Sequence, residues 1–341
     1  LPSARLTLRG VTAGLRRRLV ADLEDRGALA GLAALAEAEV PGAHPDEWYG
    51  VLPPSTTAPL YDLSQPETRV PVSPSKLERA EDCPLNWVIG ALGGGESTVS
   101  MGLGTLIHYA FETASEATSE GDTAELLAII EGEWHKLPFE AEWESKRMRE
   151  TAKVMVAGLV SYLREFAGSD RSLIGRELGF KVNVGRAELR GKVDRVEGRI
   201  GSEGFELSVI DLKTGATPPS GPKTQQHVQL QSYQLAIDRG AFQEHLGADG
   251  VAPEEIPSGE ILSGGARLLF VDPDATKGAD FVERAQAPLD EETRRELVER
   301  IASVAQVMAA STFTARVEHH CSDAFSTGDC RIHIVPAVSH A

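Results

Sequence analysis

Cysteine, positive charge and long hydrophobic runs are scarce in this chain, and each shortage closes off a class of protein. Three cysteines, Cys83, Cys321 and Cys330, are an odd number in 341 residues, which argues against a disulfide framework. No apolar run approaches the ~20 residues that a membrane-spanning helix needs. Leu1 is followed by neither a basic n-region nor an apolar core, so no secretory signal is expected. The missing start Met reads as a piece of a longer polypeptide. Basic residues number 34 against 51 acidic, a net charge of −17. That balance lacks the basic footprint of most nucleic-acid binders. Net charge, however, bears on non-specific association and not on what one site does.

What is present is globular: 41% apolar and 25% charged residues, the balance of an ordinary folded chain. At roughly 100–200 residues per domain, the length suits one large domain or two modest ones. Leu15–Ala38 has helical spacing and a basic triplet, Arg16-Arg17-Arg18. A stretch rich in Pro and Gly follows, through Trp48, Tyr49 and Pro53-Pro54, so residues 1–70 read as a helical module with a connector. A denser domain starts near Val72. Ser75 with Glu78 predicts a capping box, opening a helix to Cys83 that Pro84 disrupts. Further helices are predicted over Met101–Ala117, from Asp122, and over Lys146–Phe166. The period then changes: Leu178–Val184, Ala187–Val196 and Phe205–Leu212 read as strands. Thr224–Asp238 reads as a helix, Ala266–Val271 as a strand and Asp290–Ala310 as an amphipathic helix. This order predicts a mixed α/β sheet wrapped by helices.

The chemistry concentrates on two of those strands. One carries Gly191-Lys192-Val193-Asp194-Arg195, the next Val209-Ile210-Asp211-Leu212-Lys213-Thr214-Gly215. Asp211 and Lys213 are two apart and share a strand face, with Asp194 on the neighbouring strand. An isolated Asp-x-Lys is most often a surface pair. Here it ends a buried-type strand beside a second carboxylate. Two hard oxygen ligands suit Mg²⁺ or Mn²⁺, and a lysine facing water or phosphate completes a set for phosphodiester hydrolysis. His108 lies on an otherwise apolar helix start and is a candidate third ligand. Gln229 and Tyr233 are i, i+4 on one helix face. Glu177 is a further acidic candidate at the first strand.

Together these motifs resemble the RecB-type branch of the PD-(D/E)XK nuclease superfamily, with the AddAB and Cas4 nucleases, over about residues 72–335. The match takes in Ser73-Pro74-Ser75-Lys76-Leu77, Cys83-Pro84-Leu85-Asn86-Trp87, Gly104–His108, Gly191–Arg195, Ile210–Gly215 and Gln229–Tyr233. The resemblance implies a restriction-endonuclease-like mixed sheet flanked by helices and a divalent-metal DNA nuclease. It implies metal ligation by His108, Asp194, Asp211 and the Leu212 carbonyl, Lys213 as catalytic lysine, and Gln229 and Tyr233 as supports. Products would be 5′-phosphate and 3′-hydroxyl ends. Val40-Pro41-Gly42 and Pro45-Asp46-Glu47-Trp48-Tyr49-Gly50 resemble the junction behind a UvrD-like motor in AdnA-type helicase–nuclease subunits. Residues 71–341 would then be the nuclease domain. The parent chain would be a DNA-end resection motor acting with a second helicase–nuclease subunit, cytoplasmic at the bacterial nucleoid. No Gly-x-x-x-x-Gly-Lys-[Ser/Thr] is present, so any ATPase would lie in other sequence.

Iron–sulfur members of this family place one cysteine before the core and Cys-x₂-Cys-x₅-Cys after it. Cys83 matches the first, and Cys321 and Cys330 match the tail, with Ala324 where another cysteine would stand. A [4Fe–4S] cluster takes four thiolates. Three readings stay open: His319 or His320 supplies a fourth ligand, the cluster is lost and the cysteines pack as apolar fillers, or Ala324 is an engineered change.

Overall fold

The computed structural model describes residues 7–48, 56–93, 99–113, 123–202, 204–246 and 261–315. Two compact units divide the chain after Ala58. In the first, α1 (Leu8–Ala21) and α2 (Arg26–Glu37) replace the continuous helical stretch expected from Leu15. Asp25 explains the break. Its carboxylate caps α2 through the Ala28 amide at 2.9 Å and holds Arg18 of α1 through two hydrogen bonds, so it satisfies an orphan N–H that a continuing helix would have bonded internally.

The second unit begins at Pro59. Its elements are β1 (Val70–Val72), α3 (Pro74–Asp82), α4 (Pro84–Gly93), α5 (Val99–Thr113), α6 (Thr123–Glu133), α7 (Glu142–Ala167), β2 (Ser172–Val184), β3 (Ala187–Ile200), β4 (Phe205–Lys213), α8 (Gly221–Gln225), α9 (Val228–Asp238), β5 (Ile261–Phe270), α10 (Pro273–Thr276), β6 (Val282–Gln286) and α11 (Glu291–Ala309). The sheet has six strands in the order β1-β3-β4-β5-β6, with β2 also paired to β3. The β1–β3 and β4–β5 pairs are parallel and the rest antiparallel. A mixed sheet covered by helices is what the sequence pattern implied.

β4 is buried along almost its whole length, as a central strand flanked on both faces must be. Val209 joins a core with Leu230, Leu235 and Ile301 from α9 and α11, while Ile210 and Leu212 join Ile107, Val156 and Leu159 from α5 and α7. The alternation leaves Asp211 on the α9 side.

Several boundaries differ from the sequence reading. The cap of α3 is Ser73, two residues before the expected Ser75, because Pro74 suits the first helical position, where its missing N–H costs nothing. Pro84 likewise starts α4 as well as ending the preceding run. The helix expected over Thr224–Asp238 is broken at Gln226–His227. Gln286 accounts for this: its side-chain amide donates to the Thr224, Gln225 and His227 carbonyls at 2.8, 3.0 and 3.2 Å. β1 and β6 carry no readable strand signal. β1 is three residues around Pro71, and β6 reads Val-Glu-Arg-Ala-Gln at the sheet edge. Among the described residues, no helix is long and apolar enough to cross a membrane.

Candidate active site

The β3–β4 ladder ends at the Arg195–Ile210 pair. One step further a side chain takes over from the backbone: Asp194 Oδ2 accepts the Leu212 N–H at 2.7 Å. Asp194 Oδ1 lies 3.1 Å from His108 Nδ1 on α5. Two glycines allow this approach. A Cβ on Gly104, one helical turn before His108, would sit 2.8 Å from Thr214 Oγ1, just past β4. A Cβ on Gly191 would meet the Phe180 ring at 3.0 Å and Pro74 at 3.3 Å. Gly104 thus lets α5 approach the end of β4, and Gly191 lets the start of α3 and the Phe180 ring approach β3.

Asp211 is 5% exposed. Its Oδ1 accepts from Gln229 Nε2 and Tyr233 Oη, both at 2.9 Å, and its Oδ2 faces Lys213 Nζ at 2.7 Å. Lys213 also donates to Gln229 Oε1 at 3.0 Å, and Gln229 Nε2 donates to Tyr233 Oη at 2.7 Å. The Gln229 amide therefore has a partner at each end, and its orientation is set by them. This closed ring fixes the lysine. Burial pushes the Asp211 pKa up, with the Asp194 charge adding to the rise, while Lys213 and the Tyr233 hydroxyl oppose it. Burial and the Asp211 charge push Tyr233 well above its ordinary value. At His108 burial works downward, but the Asp194 hydrogen bond and charge outweigh it, and the pKa rises.

Glu177 enters by an unusual backbone. It sits inside β2 with φ of 49°, a left-handed conformation that costs a non-glycine residue about 1–3 kcal/mol. The register on either side, Arg176 with Arg195 and Leu178 with Val193, sets it across from Asp194. Ligand atoms of His108, Glu177 and Asp194 lie within 4.8 Å of one another. Lys192 Nζ holds Glu177 Oε2 at 2.7 Å, which raises the lysine pKa.

His108, Asp194, Asp211, Lys213, Gln229 and Tyr233 all line one cavity of about 370 Å³, with Leu212 beside them. In this arrangement Asp211 is spent on the lysine ring, and Glu177 is the acid converging on His108 and Asp194. Cys83 lies elsewhere, as a buried free thiol between α3 and α4. Cys321 and Cys330, with His319, His320 and Ala324, fall outside the described residues. The Lys192 contact to Glu177 had no sequence signal beyond its place in the Gly191–Asp194 motif.

A family model described as the PD-(D/E)XK nuclease superfamily matches residues 71–332, well over half of the chain. The chain belongs to the PD-(D/E)XK nuclease superfamily. None of the curated proteins matches it. The six-stranded mixed sheet with flanking helices is the restriction-endonuclease-like fold of that superfamily. PD-(D/E)XK nucleases act with divalent metals, and the donors here suit them. Asp194, Glu177 and His108 bring two carboxylates and one imidazole together, an oxygen and nitrogen donor set that suits Mg²⁺ or Mn²⁺.

Proposed function

We propose that this PD-(D/E)XK domain hydrolyses single-stranded DNA, as the nuclease module of a helicase–nuclease that resects double-strand ends. The observation that carries the reading is the Asp211–Lys213 pair at 2.7 Å, locked by Gln229 and Tyr233, beside Asp194 and His108. A catalytically silent guiding domain has no need of so complete a ring.

His108, Asp194 and Glu177 would hold Mg²⁺ or Mn²⁺, with Asp211 and the Leu212 carbonyl at its edge. When bound, the metal lowers the pKa of water and offsets phosphoryl charge. Lys213, with its position set by Asp211 and Gln229, supplies positive charge next to the attacking oxygen. Water attacks phosphorus, the bond to the 3′ oxygen breaks, and that oxygen takes a proton, giving 5′-phosphate and 3′-hydroxyl ends. Residues 1–70 would be the tail of a UvrD-like motor and its linker, and residues 71–341 the nuclease domain. The motor and a second helicase–nuclease subunit would deliver the strand, at the bacterial nucleoid. Iron and sulfide assays on anaerobically purified protein separate a bound [4Fe–4S] cluster from cysteines that only pack.

The deciding experiment is cleavage of end-labelled single-stranded DNA by the complete parent complex, wild type against Asp211→Ala, in Mg²⁺, Mn²⁺ and EDTA. Cleavage lost in the variant and in EDTA is the expected result. Cleavage unchanged in the variant assigns the cutting to a partner and makes this domain a guide for DNA.

A further inference from the structure

The β2–β3 hairpin carries charge on one face, in an order the catalytic set does not use. Along β3, Glu188, Arg190, Lys192 and Asp194 alternate with the more buried Ala187, Leu189, Gly191 and Val193, so the four share a face. The antiparallel register sets Gly179 beside Lys192 and Lys181 beside Arg190. Moving away from Glu177 and Asp194, the face therefore presents Lys192, then Arg190 with Lys181, before Glu188. Alternate positions on a strand are about 6.7 Å apart, comparable with the step between successive phosphates of an extended nucleic-acid strand.

The three cations are accessible. Their side chains are 57%, 57% and 67% exposed for Lys192, Arg190 and Lys181. Gly179 leaves the first step bare, since a Cβ there would meet nothing within 4 Å. Beside them lies a hollow of about 920 Å³ whose charged lining is Lys181, Arg190 and Arg239 with Glu188 and Glu244, and Ser73 and Gly191 line both this hollow and the catalytic cavity. The present partners are glutamates: Glu188 for Lys181 and Arg190, and Glu177 for Lys192. The cations are exposed while Glu188 and Glu177 are only 14% and 18% exposed, so the long basic side chains can turn to a phosphate while the glutamates stay in place.

We propose that this hairpin face is a phosphate ladder, binding the backbone of the DNA strand on one side of the scissile bond through Lys192, Arg190 and Lys181. The inference rests on the nuclease reading above. It gives a chain of net charge −17 a local means of holding a polyanion, because Lys and Arg contacts to phosphate supply most sequence-independent affinity.

The test is equilibrium binding of a fluorescent single-stranded oligonucleotide to the full chain, with Ca²⁺ as the probe metal, over a salt series. Each single-strand phosphate contact contributes about 0.7 to the slope of log affinity against log salt. Lys181→Ala with Arg190→Ala should therefore lower that slope by about 1.4. Lys153→Ala, an exposed lysine on α7, should leave it unchanged. The Gln pair, Lys181→Gln with Arg190→Gln, guards against a folding defect and should repeat the loss. An unchanged slope in both pairs overturns the ladder, and wild-type cleavage of the same oligonucleotide in Mg²⁺ would then keep the nuclease reading standing. A wild type that neither binds nor cuts overturns both.

Discussion

Two charged clusters lie three residues apart on β3, one around Glu197 and one around Asp194. Glu197 is 1% exposed, yet it is fully answered. Its oxygens accept from Tyr162 Oη and Arg195 Nε at 2.7 Å and from Arg171 Nη1 at 3.0 Å. The Arg195 guanidinium packs over Phe166 at 4.2 Å from the ring centre. Around Asp194 each acid also has a partner, Lys192 for Glu177, Lys213 for Asp211 and His108 for Asp194, but here Asp194, Asp211, Lys213 and His108 line a cavity. Disturbed titration marks both places. Burial and the Glu197 charge push Tyr162 well above its ordinary value, as burial and Asp211 do for Tyr233. A perturbed pKa alone therefore does not distinguish a functional cluster from a structural one. Charged pairs that line an accessible cavity do.

The comparison breaks most sharply on a pair of substitutions. Asp211→Ala should cut DNA cleavage by about 10³-fold or more, with cooperative unfolding retained. Glu197→Ala should do the reverse, destabilising the fold by about 3–5 kcal/mol because two buried guanidiniums lose their carboxylate. Activity would then follow the folded fraction. Denaturant melts beside cleavage assays separate the two effects. A Glu197→Ala protein of wild-type stability would remove the structural half of the contrast. Next in size is the response to metal. Saturating Mn²⁺, at ~100 times its Kd, should stabilise the wild type by about 2.7 kcal/mol, read as a rise in Tm reversed by EDTA. Asp194→Asn should lose most of that rise. An equal rise in the variant would place the ion elsewhere.

Different parts of this picture were legible in the sequence to different degrees. Asp211 and Lys213 could be read because period two at the end of a buried strand fixes a shared face. Gln229 and Tyr233 could be read because i, i+4 on a helix does the same. These are local rules, and the mixed sheet followed from the order of such segments. The left-handed turn at Glu177 could not be read, since it comes from pairing with β3. Nor could the break before α9, which is held by Gln286 some sixty residues later in the chain. β1 and β6 stayed hidden because each is defined by its neighbour strand and not by its own pattern. The asymmetry between Ser73 and Ser75 depended on how Pro74 was used.

Two smaller effects sharpen the contrast. Tyr233→Phe removes one donor from Asp211 Oδ1 and leaves the Gln229 contact. A supporting group of this sort is expected to change activity by about 10–100-fold, with little movement in Tm, whereas Tyr162→Phe, on Glu197, should mainly change stability. The smallest effect belongs to Glu283, at the edge of the closed cluster near Arg267 and Arg171. Burial raises its pKa above the ordinary 4.5, against the opposing charges of those arginines. The folded state therefore holds this proton more tightly than the unfolded chain does. The resulting stability is complete below pH 4.5 and is lost as pH rises through the raised value. Glu283→Gln cannot ionise, so it escapes that loss. Melts from acid to neutral pH should show the variant gaining on the wild type as pH rises, and a gap that widens toward acid would mean the carboxylate is a net stabilising partner of Arg267.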